Sequence, residues 1–109
     1  MNAEIQQKLA DIRDLCEKHG IRALYLFGSA TRGDFDSSSS DFDFLVEFQT
    51  TAPGTNYGYR YLDFADELEQ LMGRSIDLLT TGSRMNRYLR EEIEETREEL
   101  FRAPDPLAA

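Results

Sequence analysis

At 109 residues the chain has the length expected of one domain with a single thin core, which argues against a two-domain reading. Hydrophobic residues make up 40% and charged residues 30%, with seven Phe and five Tyr, a soluble globular composition rather than a disordered or membrane-spanning one. The formal charge of −9 comes from 21 acidic against 12 basic side chains that do not cluster, so a long nucleic acid is excluded as partner. Cations, a mononucleotide bound through metal, or a basic protein fit that surface better.

No apolar stretch approaches the roughly 20 residues that span a bilayer, and the first residues lack a basic region followed by an apolar one. The expectation is a cytoplasmic protein with no membrane contact. Cys16 is the only cysteine, which leaves no partner for a disulfide or a thiolate zinc site within one chain; it reads as a small apolar residue on a helix face.

Ile5, Leu9, Ile12 and Leu15 or Cys16 recur at helical spacing and predict a first helix, with Glu4/Lys8 and Asp14/Lys18 as i, i+4 pairs and Gly20 as its stop. His19, next to that stop, reads as a compensator of the helix dipole rather than a catalyst. Residues 21–27 (IRALYLF) predict a buried strand running into a tight turn at Gly28-Ser29. The polar stretch 31–40, with Gly33, two Asp and four consecutive Ser, predicts a short helical turn and a loop. A second strand follows at 42–48 (FDFLVEF), with Asp41, Asp43 and Leu45 on one face and Phe42, Phe44 and Val46 on the other.

Pro53, Gly54 and Gly58 mark a surface connection. Tyr61 or Leu62, Ala65, Leu68 and Leu71 or Met72 then predict a second amphipathic helix closed by Gly73. Residues 75–80 (SIDLLT) predict a third strand, and Met85, Leu89, Ile93 and Leu100 a last helix over about 85–101. The domain is expected to span 1–102, with 103–109 a frayed tail.

Chemistry concentrates between Leu26 and Val46. Gly28 lets backbone approach a ligand with no Cβ in the way, and Ser29 at the start of a helical turn offers a hydroxyl and backbone N–H groups to phosphate oxygens. Asp41 and Asp43, two apart on a strand, project to one side and can grip the same divalent ion. Unneutralised, carboxylates a few ångströms apart repel by roughly 4 kcal/mol at an effective dielectric of 20, a liability that bound Mg²⁺ removes. Asp77, isolated between aliphatic residues of the third strand, also asks for a partner. Three carboxylates on neighbouring strands make a site for two metal ions that hold a triphosphate and activate an attacking hydroxyl.

Two other ligand loops fail. A helix-loop-helix calcium site beginning at Asp34 has Ser39 where Gly is wanted and Leu45 where Glu is wanted, and no Gly-Lys-Ser/Thr phosphate loop occurs. Arg32 either contacts phosphate or pairs with Asp34 or Asp36.

Gly28-Ser29, Arg32-Gly33, Ser40-Asp41-Phe42-Asp43 and Ile76-Asp77-Leu78 resemble the signature of the polymerase-β-like nucleotidyltransferases, most of all the minimal type. The likeness covers nearly the whole chain, since Asn86-Arg87-Tyr88-Leu89-Arg90 with Ile93 is similar to that family's last helix. It implies an α/β (α+β) fold, a small mixed sheet with helices on one face. It also implies that Asp41 and Asp43 bind both Mg²⁺ ions, with Mn²⁺ as alternative, and that Asp77 completes the set and activates the acceptor. Gly28, Ser29 and Arg32 would join Asp41 and Asp43 in holding ATP. Small domains of this kind are often antitoxins encoded beside a HEPN-type ribonuclease toxin, and some transfer AMP to a toxin tyrosine.

Two function classes follow from that likeness. One is an active protein adenylyltransferase; the other is an antitoxin that neutralises its toxin by binding alone. Intact Asp41, Asp43 and Asp77 favour the first, because binding alone gives no use for three repelling charges. Modification of a small molecule is disfavoured by length, with no second domain to build an acceptor pocket. Glu91, Glu92, Glu94, Glu95, Glu98 and Glu99 form either a solvated face or a docking surface for a basic partner.

Overall fold

The structure is a computed structural model that describes residues 2–31, 41–49, 57–81 and 85–104. Helix α1 (Ala3–Lys18) starts at Asn2, whose Oδ1 accepts the N–H groups of Glu4 at 2.9 Å and Ile5 at 3.3 Å. It stops at Gly20, where φ is +66°. Strand β1 (Ile21–Phe27) passes into a single 3₁₀ turn (Gly28–Thr31), and strand β2 is Phe42–Phe48. Helix α2 (Tyr57–Met72) leads to strand β3 (Ile76–Thr80), helix α3 (Arg87–Thr96) and strand β4 (Glu98–Arg102).

The sheet order is β3-β2-β1-β4. β1 pairs antiparallel with both β2 and β4, while β2 and β3 are parallel. A parallel pair cannot be joined by a hairpin, and α2 is the crossover that lets β2 and β3 run side by side.

Alternation along the strands divides the apolar side chains between two faces. Leu24 and Leu26 of β1, Phe42, Phe44 and Val46 of β2, and Leu78 of β3 join Ile5, Ile12 and Cys16 of α1 and Phe64 and Leu68 of α2 in the main core. Phe27 and Leu45 point the other way and meet Ile93 of α3, with Leu79, Met85 and Leu89 around them. The expected mixed sheet with helices on one face is thus built from α1 and α2, and α3 adds a smaller layer on the opposite face. Cys16 is fully buried in the main core, and that burial, with Glu17 beside it, pushes its thiol up to about 12.

Two local readings are corrected. The last helix ends at Thr96 instead of near Phe101, and the residues after it form edge strand β4, whose Leu100 is buried in the main core. Backbone pairing to β1, extended by Ala103 N–H to Arg22 O at 2.8 Å, outweighs the helix propensity of the Glu-rich segment. The i, i+4 pairs expected along α1 give way to links across to α2 and the turn after it: Lys18 reaches Glu67 at 2.7 Å, Lys8 the carbonyl of Leu71 at 2.7 Å, and Arg74 reaches Glu4 at 3.4 Å. His19, read from the sequence as a compensator of the helix dipole, is the C-cap residue of α1, and its Nε2 also meets Glu67. Hydrogen bonds from Lys18, the larger cause, and from His19 hold the Glu67 carboxyl below its usual range.

Candidate active site

The site forms where the C-terminal end of β1 meets the N-terminal ends of β2 and β3. In the antiparallel pair Phe27 stands opposite Asp43, which brings Gly28 alongside the Asp43 side chain. In the parallel pair Asp43 is the register partner of Asp77. Register partners project from the same face, and neighbouring strands run about 4.8 Å apart, so these carboxylates share one edge of the sheet. Asp41 lies two residues before Asp43 and takes the same side. Asp41 and Asp77 are exposed and Asp43 half-buried, so the group opens to solvent on the α3 face.

Gly28 is needed for two reasons. Its φ of +77° lies in the left-handed region, and a Cβ there would fall 2.6 Å from Asp43 Oδ2. The same Cβ position is 3.5 Å from Glu92 Oε1. What fills the space beside Gly28 is therefore carboxylate oxygen. The Gly28 N–H donates to Thr96 Oγ1 at 2.9 Å, and the Thr96 hydroxyl donates to Glu92 O at 2.7 Å, tying the last turn of α3 to the end of β1. Ser29 is half-buried at the start of the 3₁₀ turn, which Thr31 closes by donating its hydroxyl to Gly28 O at 2.7 Å. Arg32 lies outside the described residues.

The donor set fits a hard divalent cation. Asp41, Asp43 and Asp77 supply only oxygens, with no thiolate or imidazole to favour a softer metal. Among the described residues no three acidic, His or Cys side chains stand together as a ready-made cage.

Glu92 and Thr96 are the site residues that sequence reasoning did not single out. In the sequence Glu92 is one of six acids within nine residues, and only the seating of α3 on Phe27 and Leu45 separates it from the others. Asn86 fixes that seating from the far end by capping α3, its Oδ1 accepting Leu89 N–H at 2.8 Å.

Comparison with known proteins gives the family. Residues 11–103 match the family model described as nucleotidyltransferase domain. The chain is 32% identical over 96 residues to "Putative protein adenylyltransferase MJ1379" of Methanocaldococcus jannaschii, covering 80% of this chain and 92% of the relative. Its fold is similar to that of a crystal structure described as a toxin-antitoxin with AMP-PNP, with a TM-score of 0.65, 21% identity, and 87% of this chain and 73% of that one covered. It is similar as well to a chain of a tri-AMPylated Shewanella oneidensis HEPN toxin in complex with MNT antitoxin, with a TM-score of 0.60, 19% identity, and 90% of this chain and 72% of that one covered. No helix among the described residues is long and apolar enough to cross a membrane. With a family match over almost its full length and a strand-end carboxylate pair beside a glycine turn, the chain belongs to the nucleotidyltransferase domain family.

Proposed function

We propose that the chain transfers the adenylyl group of ATP to a tyrosine of a HEPN-type toxin in the cytoplasm, and neutralises the toxin by doing so. The observation that carries this reading is the register pairing of Asp43 with Asp77 beside Gly28, open to solvent. A relative named for protein adenylyl transfer and fold neighbours described as toxin-antitoxin complexes, one with AMP-PNP and one with an AMPylated toxin, support the choice of nucleotide and acceptor.

Each residue then has a task. Gly28, Ser29 and Arg32 hold the triphosphate, and Asp41, Asp43 and Asp77 are the residues that would hold Mg²⁺ or Mn²⁺. Such ions neutralise the carboxylates and the phosphates and polarise the phosphorus under attack. The acceptor oxygen bonds to the α-phosphorus, the bond from that phosphorus to the bridging oxygen breaks, and pyrophosphate leaves. Asp77, exposed at the edge of β3, takes the hydroxyl proton.

The test is to incubate the protein with ATP, Mg²⁺ and the HEPN-type toxin encoded beside it, and to weigh the toxin by intact-mass spectrometry. The expected result is addition of one or more AMP groups. Inhibition without a mass change, undiminished in Asp41→Ala/Asp43→Ala, would establish an antitoxin that acts by binding alone.

A further inference from the structure

Three large side chains with apolar bodies are exposed among the described residues: Tyr59, Leu62 and Tyr88, the last at 82%. Tyr59 and Leu62 belong to α2, on the face of the sheet away from Asp43. Tyr88 belongs to α3, on the face that carries the carboxylates. It lies four residues before Glu92 and eight before Thr96, so the three follow one flank of the helix.

That flank looks toward the carboxylate end of the sheet. Thr96 holds the Gly28 N–H, and the Glu92 carboxylate comes within 3.5 Å of the Cβ position at Gly28. Arg97, the non-helical residue that follows α3, turns away from it, its guanidinium 5.4 Å from the ring centroid of Tyr25, farther back along β1. Helical side chains lean toward the helix N-terminus alike, so the Tyr88 ring stands one turn beyond the Glu92 carboxylate on that flank. An exposed ring also changes rotamer within nanoseconds, so its phenol can sweep the space in front of the site.

We infer that Tyr88 is a self-acceptor, a phenol that the chain's own transfer site adenylylates. The inference rests on the adenylyl-transfer reading above and adds a modification site on the enzyme itself. Tyr88 Oη forms a bond to the α-phosphorus of the bound nucleoside triphosphate, the bond to the bridging oxygen breaks, and pyrophosphate leaves with that electron pair. The phenol proton passes to the Asp77 carboxylate. The product is a tyrosyl phosphodiester at the mouth of the site, where it competes with an incoming acceptor.

The experiment uses the purified full chain with ATP and Mg²⁺, with and without the toxin, followed by intact mass and peptide mapping. Wild type should gain the mass of one AMP on Tyr88. Tyr88→Phe, which removes only an exposed hydroxyl, should lose that gain while still modifying the toxin. A tagged Asp43→Asn chain mixed with wild type should stay unmodified, because the acceptor lies beside its own site. Modification of the toxin with no change in the enzyme's own mass overturns the self-acceptor and leaves the transferase reading standing. No change in either protein overturns both. A gain that persists in Tyr88→Phe, or that reaches the tagged Asp43→Asn chain, overturns the assignment to Tyr88 of the same chain.

Discussion

Asp43 of β2 and Asp77 of β3 are register partners in a parallel pair, two carboxylates side by side at a strand edge with Gly28 turning away beneath them. Two carboxylates so placed offer hard oxygen ligands to one divalent cation, and the first prediction follows from that donor set. Millimolar Mg²⁺ or Mn²⁺ should raise the thermal midpoint of the wild type, and Asp43→Asn should reduce the rise. Scanning fluorimetry reads both, and an equal response in the two proteins would argue against a shared metal site.

Gly28→Ala should damage the fold and the site together. The added Cβ would require a left-handed residue other than Gly and would fall 2.6 Å from Asp43 Oδ2. A loss of about 1–3 kcal/mol is expected in urea melts, the usual range for backbone strain of this kind. Metal-dependent stabilisation should fall as well, since the carboxylate that must move is the one proposed to bind the ion. Unchanged stability would mean that the turn relaxes freely.

The α1–α2 contact gives a pH prediction. Glu67 has its carboxyl held below the ordinary range by Lys18 and His19, so its contribution is present above the unfolded-state pKa and is lost as pH falls through the lower folded-state value. Thermal midpoints of wild type and Glu67→Gln should therefore differ most near neutrality and converge below the usual carboxylate range. A gap that widens on acidification would contradict this sign.

Much of this arrangement was legible in the sequence because it depends on local pattern. The apolar runs at 21–27 and 42–48 match β1 and β2, and the alternation in FDFLVEF already separated Asp43 and Leu45 from Phe42 and Phe44. Gly20 and Gly73 close α1 and α2 with positive φ, as their positions implied. What escaped depends on partners distant in the chain. Residues 98–102 carry helix-favouring Glu and Leu, and only the open edge of β1 draws them into a strand. Glu4 and Lys8 are well spaced for each other along α1, yet the nearby turn after α2 and the Leu71 carbonyl offer partners at once. Glu92 enters the site through the packing of Ile93 on Phe27 and Leu45, which no local period encodes. Arg32 and the polar stretch around it lie outside the described residues.

The central claim, that these carboxylates perform adenylyl transfer, is tested most directly by the transfer rate of Asp77→Asn at saturating ATP and Mg²⁺. Asparagine keeps the size and polarity of the residue but cannot take the acceptor's proton. Asp77 is exposed, and its removal relieves repulsion with Asp43, so the metal-free variant should be as stable as wild type or more so, by on the order of 1 kcal/mol in urea melts. Transfer of AMP to the toxin, followed by intact mass, should fall by about a hundredfold or more. A folded Asp77→Asn protein that transfers AMP at the wild-type rate would contradict the account.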